Sequence, residues 1–245
     1  MSFTISSIIS KTFKDINSNS SLKVTKSDIE YCLMEVIKKD RSYIYMNDDD
    51  NLNSEEEIEF FRLINNLKKG IPLAYVLGYK DFYNTKFFVN NDVLIPRQDT
   101  EIIISKVIEL GDSIFKKYGS TTIIDAGSGS GCIGLSIAAE RQNWNIILTE
   151  KYKKAFEILY KNYINNHYNI CTLVMCDWLS AFNKNIADIV ISNPPYIKKG
   201  SLNIQDSVKD YEPEYALYSE DNGLYDIKKI KKESRKALKK DGLLI

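Results

Sequence analysis

"TTIIDAGSGSGCIGLSIAAER", Thr121 to Arg141, decides the fold. The run Thr121–Ile124 is β-branched and apolar, as a buried strand requires. Asp125 stands at its end. Gly127, Gly129 and Gly131, alternating with Ser128 and Ser130, allow a tight turn in which backbone can approach a ligand closely. From Cys132 onward the chain reads as a helix, whose first N–H groups face the turn. A strand, a glycine turn and a helix open a doubly wound α/β sheet. The ending GK[ST] is missing, so the loop is not a P-loop. Gly129, Gly131 and Gly134 satisfy GxGxxG, so a dinucleotide reading has to be weighed. A carboxylate at Asp125 suits a cationic or hydroxyl-bearing ligand better than a pyrophosphate.

The same alternation continues outward. Residues 101–118 form an amphipathic helix before the strand. NIILTE (145–150), CTLVMCD (171–177) and ADIVIS (187–192) read as further strands, with a helix at 154–167 between the first two. LYDIKKIKKESRKALKK (224–240) reads as a basic, solvated helix, and GLLI (242–245) as the start of a last strand. Strands alternating with helices imply a parallel sheet covered on both faces. Residues 78–97 read as a β-hairpin linker turning at Asn84. Residues 1–77 read as a small helical domain, and 98–245 as the catalytic domain. In the helical domain Ile5, Ile8, Ile9, Phe13 and Ile16 form one stripe, and Thr25 with Asp28 starts a second helix. Ser54 with Glu57 forms a capping box for a third, with Ile58, Phe61, Ile64 and Leu67 inward.

Composition excludes several classes. Lys+Arg and Asp+Glu both number 33, so no excess charge favours nucleic acid, and no direct nucleic-acid binding is expected. No apolar run reaches a membrane span, and the N-terminus lacks a signal-peptide pattern. Cys32, Cys132, Cys171 and Cys176 form no CxxC pair, and with one histidine, His167, no metal cluster is expected. A cytoplasmic location with reduced thiols follows.

Polar groups then recur at strand ends, where open α/β sheets bind ligands. Glu150 can accept both hydroxyls of a ribose, although a surface glutamate opening a helix is the plainer alternative. Asp177 can bond an adenine amino group and Trp178 can flank its ring; ordinary core packing also explains Trp178. The fourth strand ends in Asn193-Pro194-Pro195-Tyr196. The prolines stop the strand and hold Asn193 extended. A rigid amide beside a flat ring suits a planar NH2 acceptor. Asn193 Oδ1 and the Pro194 carbonyl can accept its two N–H groups, and Tyr196 can pack on its face.

"GIPLAYVLGYKDFY" (70–83), "VLIPRQDTE" (93–101), "DAGSGSG", "CDWLSAF" (176–182) and "SNPPYI" together resemble the release-factor glutamine N5-methyltransferases of the HemK type, over nearly the whole chain. NPPY is shared with N6-adenine methyltransferases; the first two segments are more specific. The resemblance implies a Rossmann-like class I methyltransferase domain behind an N-terminal substrate-recognition domain. It implies S-adenosylmethionine held by Gly127–Gly131, Glu150, Trp178 and Asn193, and a substrate pocket of Asn193, Pro194, Pro195 and Tyr196. The reaction it implies is methylation of the Gly-Gly-Gln glutamine of release factors, which serves translation termination. The family usually has aspartate at position 150 and a proline at 98. It also implies strands beyond Ile245, so the sheet is expected to be truncated. An adenine DNA methyltransferase, a ribosomal-protein glutamine methyltransferase and a non-catalytic cofactor-binding remnant stand as alternatives.

Overall fold

A computed structural model describes residues 3–19, 24–166, 171–201 and 205–245. The chain divides into two compact units, Met1–Gly78 and Tyr79–Ile245. His167 lies outside the described residues.

The first unit holds α1 (Ile5–Asn19), α2 (Lys26–Ile37), α3 (Arg41–Met46), α4 (Ser54–Lys68) and α5 (Leu73–Leu77). Its core joins Ile8, Ile29, Leu33, Ile44, Phe60 and Ile64. Thr25 and Asp28 cap α2 reciprocally. The cap of α4 differs from expectation by one residue: Asn53 and Glu56 make the box. Asn53 is extended and its side chain accepts the Glu56 N–H at 2.9 Å, whereas Ser54 is already helical. The buried face of α4 also differs. Phe60, Leu63, Ile64 and Leu67 face inward, while Ile58 and Phe61 are exposed, because the first set is the cleaner three–four stripe. In α1, Phe13 is likewise exposed.

The second unit opens with a hairpin, β1 (Tyr79–Phe82) and β2 (Thr85–Phe88), whose two turn residues Tyr83 and Asn84 both have positive φ. Phe82 and Phe87 enter the main core of this unit, so the hairpin is part of its body. Then follow α6 (Glu101–Tyr118), β3 (Thr122–Ala126), α7 (Cys132–Glu140), β4 (Asn145–Glu150), α8 (Lys153–Asn165), β5 (Cys171–Met175) and β6 (Ala187–Ile191). Short elements follow: β7 (Ile197–Lys198), α9 (Asp206–Tyr211), α10 (Glu214–Leu217), β8 (Tyr218–Ser219) and α11 (Glu220–Gly223). The chain continues through α12 (Tyr225–Ala237) and β9 (Leu238–Leu244).

Five parallel strands form the sheet in the order β5-β4-β3-β6-β9. Alternate residues serve opposite faces, as the strand period of two dictates. Ile123, Ile146, Leu148, Ile189 and Ile191 pack beneath Ile104, Val107, Leu135 and Leu159 of the preceding helices. Ile124, Ala126 and Val190 face the other side, with Leu179 and Ala237. Strand β9 begins at Leu238, four residues before the expected start. Leu238 pairs with Ala187 and Leu243 with Ile189, and the intervening residues bulge out through Asp241 at φ 67°. No described helix is long and apolar enough to cross a membrane.

Candidate active site

Strand β3 has β4 on one side and β6 on the other, so the connections reverse direction beside it. Crevices of this kind, at the carboxyl ends of parallel strands, are where such sheets bind ligands. The crevice here is a cavity of about 300 Å³. Of the sequence-derived residues, Asp125, Gly127, Ser128, Gly129, Ser130 and Glu150 line it, as do Asp177, Trp178, Asn193 and Pro195. Gly131, Pro194 and Tyr196 do not.

The glycine turn is shaped by what lies against it. Gly127 has φ 74°, and a Cβ there would sit 2.3 Å from the Trp178 ring. Only glycine admits the indole at this distance. Trp178 has φ 50°, a left-handed conformation unfavourable for a bulky residue. Thr149, unnoticed in the sequence, knits the two together. Its Oγ1 donates to the Trp178 carbonyl (2.9 Å) and accepts the Gly127 N–H (3.2 Å), while its carbonyl accepts the Ser128 N–H (2.8 Å). Gly131 instead caps α7 above Leu159 and Leu135, which explains its absence from the cavity wall.

Asp125 is only 1% exposed. It points to the α7 face of the sheet, and its Oδ2 accepts the Gly134 N–H at 2.9 Å. Burial pushes its carboxyl up to about 7, against the opposing pull of the Gly134 N–H and the Ser128 hydroxyl. Its role therefore includes fixing the glycine turn from below. The bond also removes one of the free N–H groups at the start of α7 that a pyrophosphate would use.

Glu150 ends β4 and is buried. Its Oε2 accepts the Gly129 N–H (3.0 Å), and Oε1 accepts those of Lys151 (2.7 Å) and Tyr152 (2.8 Å). Burial raises its carboxyl above the usual range, and these three donors limit the rise. Each carboxylate oxygen carries two lone pairs, so Oε2 keeps one for a hydroxyl donor. Asp177, just beyond β5, takes Lys229 (2.6 Å) and Lys151 (3.4 Å) on Oδ2. Burial would raise its pKa, but the two lysines outweigh it and hold the carboxyl below its ordinary value. Oδ1 is buried with no donor. A ligand bringing N–H and O–H donors fits these carboxylates; a second anion is repelled by them.

Asn193 follows β6 at the same level. Ser192 Oγ donates to the Ala126 carbonyl at 2.6 Å, clamping this strand end to the glycine turn. The Asn193 side chain has no hydrogen-bond partner among the described residues. Tyr196, 67% exposed, lies outside the cavity. Sequence reasoning missed part of the wall: Arg97, Tyr152, Tyr215 and Lys229 line it as well. Arg97 pairs with Glu212 at 2.5 Å, and Tyr152 stacks on Tyr215 with ring centroids 3.8 Å apart. Their only sequence signal was Arg97 within the VLIPRQDTE segment.

A glycine turn braced from below, carboxylates at the ends of the next two strands and Asn-Pro-Pro-Tyr at the fourth define an S-adenosylmethionine-dependent methyltransferase of class I. Residues 17–78 match the PrmC N-terminal domain family and residues 110–209 the methyltransferase small domain family. The release factor glutamine methyltransferase of Francisella tularensis is 36% identical, over 90% of this chain and 76% of that one. That of Mycoplasma mycoides is 34% identical, over 84% and 73%. That of Buchnera aphidicola is 33% identical, over 95% and 82%. The chain belongs to the release factor glutamine methyltransferase family.

Proposed function

We propose that this chain methylates the side-chain amide nitrogen of the glutamine in the Gly-Gly-Gln motif of peptide-chain release factors. The observation that carries the reading is Asn193: an amide with no partner among the described residues, held stiffly between a clamped strand end and two prolines, beside the glycine turn. The names of the similar proteins support the choice of substrate. S-adenosylmethionine, when bound, supplies an electrophilic methyl group. Glu150 would accept one ribose hydroxyl through its remaining lone pair, Asp177 would offer Oδ1 to the adenine amino group, and Trp178 would flank the ring. The glycine turn, Ser128 and Ser130 included, gives the close backbone approach.

At the acceptor, Asn193 Oδ1 takes one N–H of the substrate amide and the Pro194 carbonyl takes the other. The amide nitrogen is planar and its lone pair delocalised, so fixing both N–H groups turns what density remains toward the methyl group. Positioning of this kind is the main source of rate in a site without an acid or base at the donor. Pro195 faces the cavity and stiffens the loop; Tyr196 packs on the flat amide from the open side, where water can take the proton the nitrogen sheds. Residues 1–77 are assigned to recognition of the release factor.

The test is transfer of labelled methyl to purified release factor and to its variant with alanine at the motif glutamine. Label on the first alone is the expected result; equal labelling of both overturns the choice of acceptor.

A further inference from the structure

The segment VLIPRQDTE takes no part in the chemistry above, yet its structure is elaborate. Glu212 is 4% exposed. Its Oε1 lies 2.5 Å from Arg97 Nη2 and its Oε2 accepts the Ile95 N–H at 3.1 Å, across 117 positions of sequence. A carboxylate this far from water is tolerated only when its oxygens have donors, and here both do. Three residues later the Tyr215 hydroxyl donates to the Asp92 carbonyl, and the Tyr215 ring stacks on Tyr152, two positions past Glu150. Residues 212–215 are thus fastened at several points to the rim of the cofactor cavity.

The same segment then reaches the acceptor loop. Strand β8, Tyr218–Ser219, pairs with Ile197–Lys198, which directly follow Tyr196. The chain next turns through Asp221 and Asn222, both left-handed, to Gly223 at φ 90°. A Cβ on Gly223 would lie 2.2 Å from the Tyr196 carbonyl oxygen. Ser219 Oγ and Asp226 then lock the turn to the start of α12 (2.7 Å). Among the described residues, β8 is the one strand paired with the segment that follows Tyr196.

We propose that Glu212, held by Arg97, is a positioning residue for the Asn193–Tyr196 loop, and that residues 212–223 form a brace transmitting the placement of Ile95–Arg97 to the acceptor site. The inference rests on Asn193 holding the acceptor. Neither Glu212 nor Gly223 touches a reacting atom; each acts through the backbone of Tyr196–Lys198. The Glu212 end of this ion pair is buried, and the chain that leads from it pairs with the residues following the tetrapeptide.

The experiment compares wild type with Glu212→Gln and Gly223→Ala, well below their melting temperatures. It reads amide hydrogen exchange at Tyr196–Lys198, affinity for S-adenosylmethionine, and kcat on release factor. Both variants are expected to exchange those amides at least about tenfold faster, with the amides of Ile123–Asp125 unchanged. Their kcat is expected to fall by roughly tenfold or more, while cofactor affinity stays within about threefold. Arg97→Lys, which keeps a cation, is expected to recover most of the kcat lost in Arg97→Met. Unchanged exchange at Tyr196–Lys198 in both variants overturns the inference, as does a uniform rise across the sheet with kcat intact. A wild type that leaves release factor unlabelled refutes the proposed substrate instead, and the exchange measurement still decides the brace.

Discussion

Replacing Asp125 by asparagine tests how the glycine turn is supported. The carboxyl is pushed from 3.8 up to about 7 because burial disfavours its charge. A group whose folded pKa is raised contributes stability that is complete below its unfolded pKa and is lost as pH rises through the folded one. The window is therefore pH 4 to 7. A shift of that size corresponds to about 4 kcal/mol at about 1.4 kcal/mol per unit. Asparagine resembles the protonated acid: its oxygen still accepts the Gly134 N–H, and it carries no charge. Urea unfolding of the ligand-free protein and of Asp125→Asn at pH 5, 6, 7 and 8 is the assay. The variant is expected to match wild type near pH 4 and to gain on it with each unit, levelling off above pH 7 several kcal/mol ahead. The gain should come with weaker cofactor binding if the charge also serves the ligand. A stability difference that stays flat from pH 5 to 8 would refute the reasoning, since the carboxyl would then titrate normally.

Asn193→Ala is expected to lower turnover by roughly 10²–10³ with the fold intact, because one preorganised bond to the reacting group is gone; near-wild-type turnover would reduce the tetrapeptide to a strand stop. Asn193→Asp keeps an acceptor oxygen but adds charge, and should bind cofactor while losing much of the glutamine activity, measured on the same release factor. Glu150→Ala should weaken S-adenosylmethionine by about 1–3 kcal/mol in titration calorimetry, with NAD showing no binding to either protein. Asn162→Leu should destabilise the second unit by about 3–5 kcal/mol in thermal or urea melts. The buried Asn162 amide bonds the Phe88 N–H (2.7 Å), the Phe88 carbonyl (3.0 Å) and the Ser130 carbonyl (2.8 Å), and its loss leaves them without a partner. Gly127→Ala should displace the Trp178 ring and quench or shift its fluorescence, with a fall in cofactor affinity.

The parallel sheet was legible because buried strands read as mostly apolar runs, with a polar residue at or beside the end of each: Asp125 in β3, Glu150 in β4 and Ser192 just past β6. The glycine turn and Asn193 were legible for the same reason: they interrupt those runs at the ligand edge. Residues 197–223 were not. Their elements are two to six residues long, too short for any period, and Glu212 is held by partners more than a hundred positions away. Asp221-Asn222-Gly223 was the one local sign of the turn there. The α4 cap was ambiguous because Asn53 and Ser54 both cap well and Glu56 and Glu57 both follow. Its buried face was misjudged because Ile58 and Phe61 are apolar residues that the fold leaves exposed.

Strands β3 and β6 are direct hydrogen-bonded neighbours, with Asp125 opposite Ile191. Just beyond it Ser192 Oγ donates to the Ala126 carbonyl, so Gly127 and Asn193 each follow a residue tied across the two strand ends. The gap between the two strand ends is then set by the spacing of a peptide ladder, about 4.8 Å. The sheet acts as a ruler. Side chains in the surrounding helices can be exchanged without altering the interval between these two strand ends, and warming loosens loops well before it stretches a ladder. A change that shifts the register of β6 against β3 would therefore move Asn193 relative to the glycine turn.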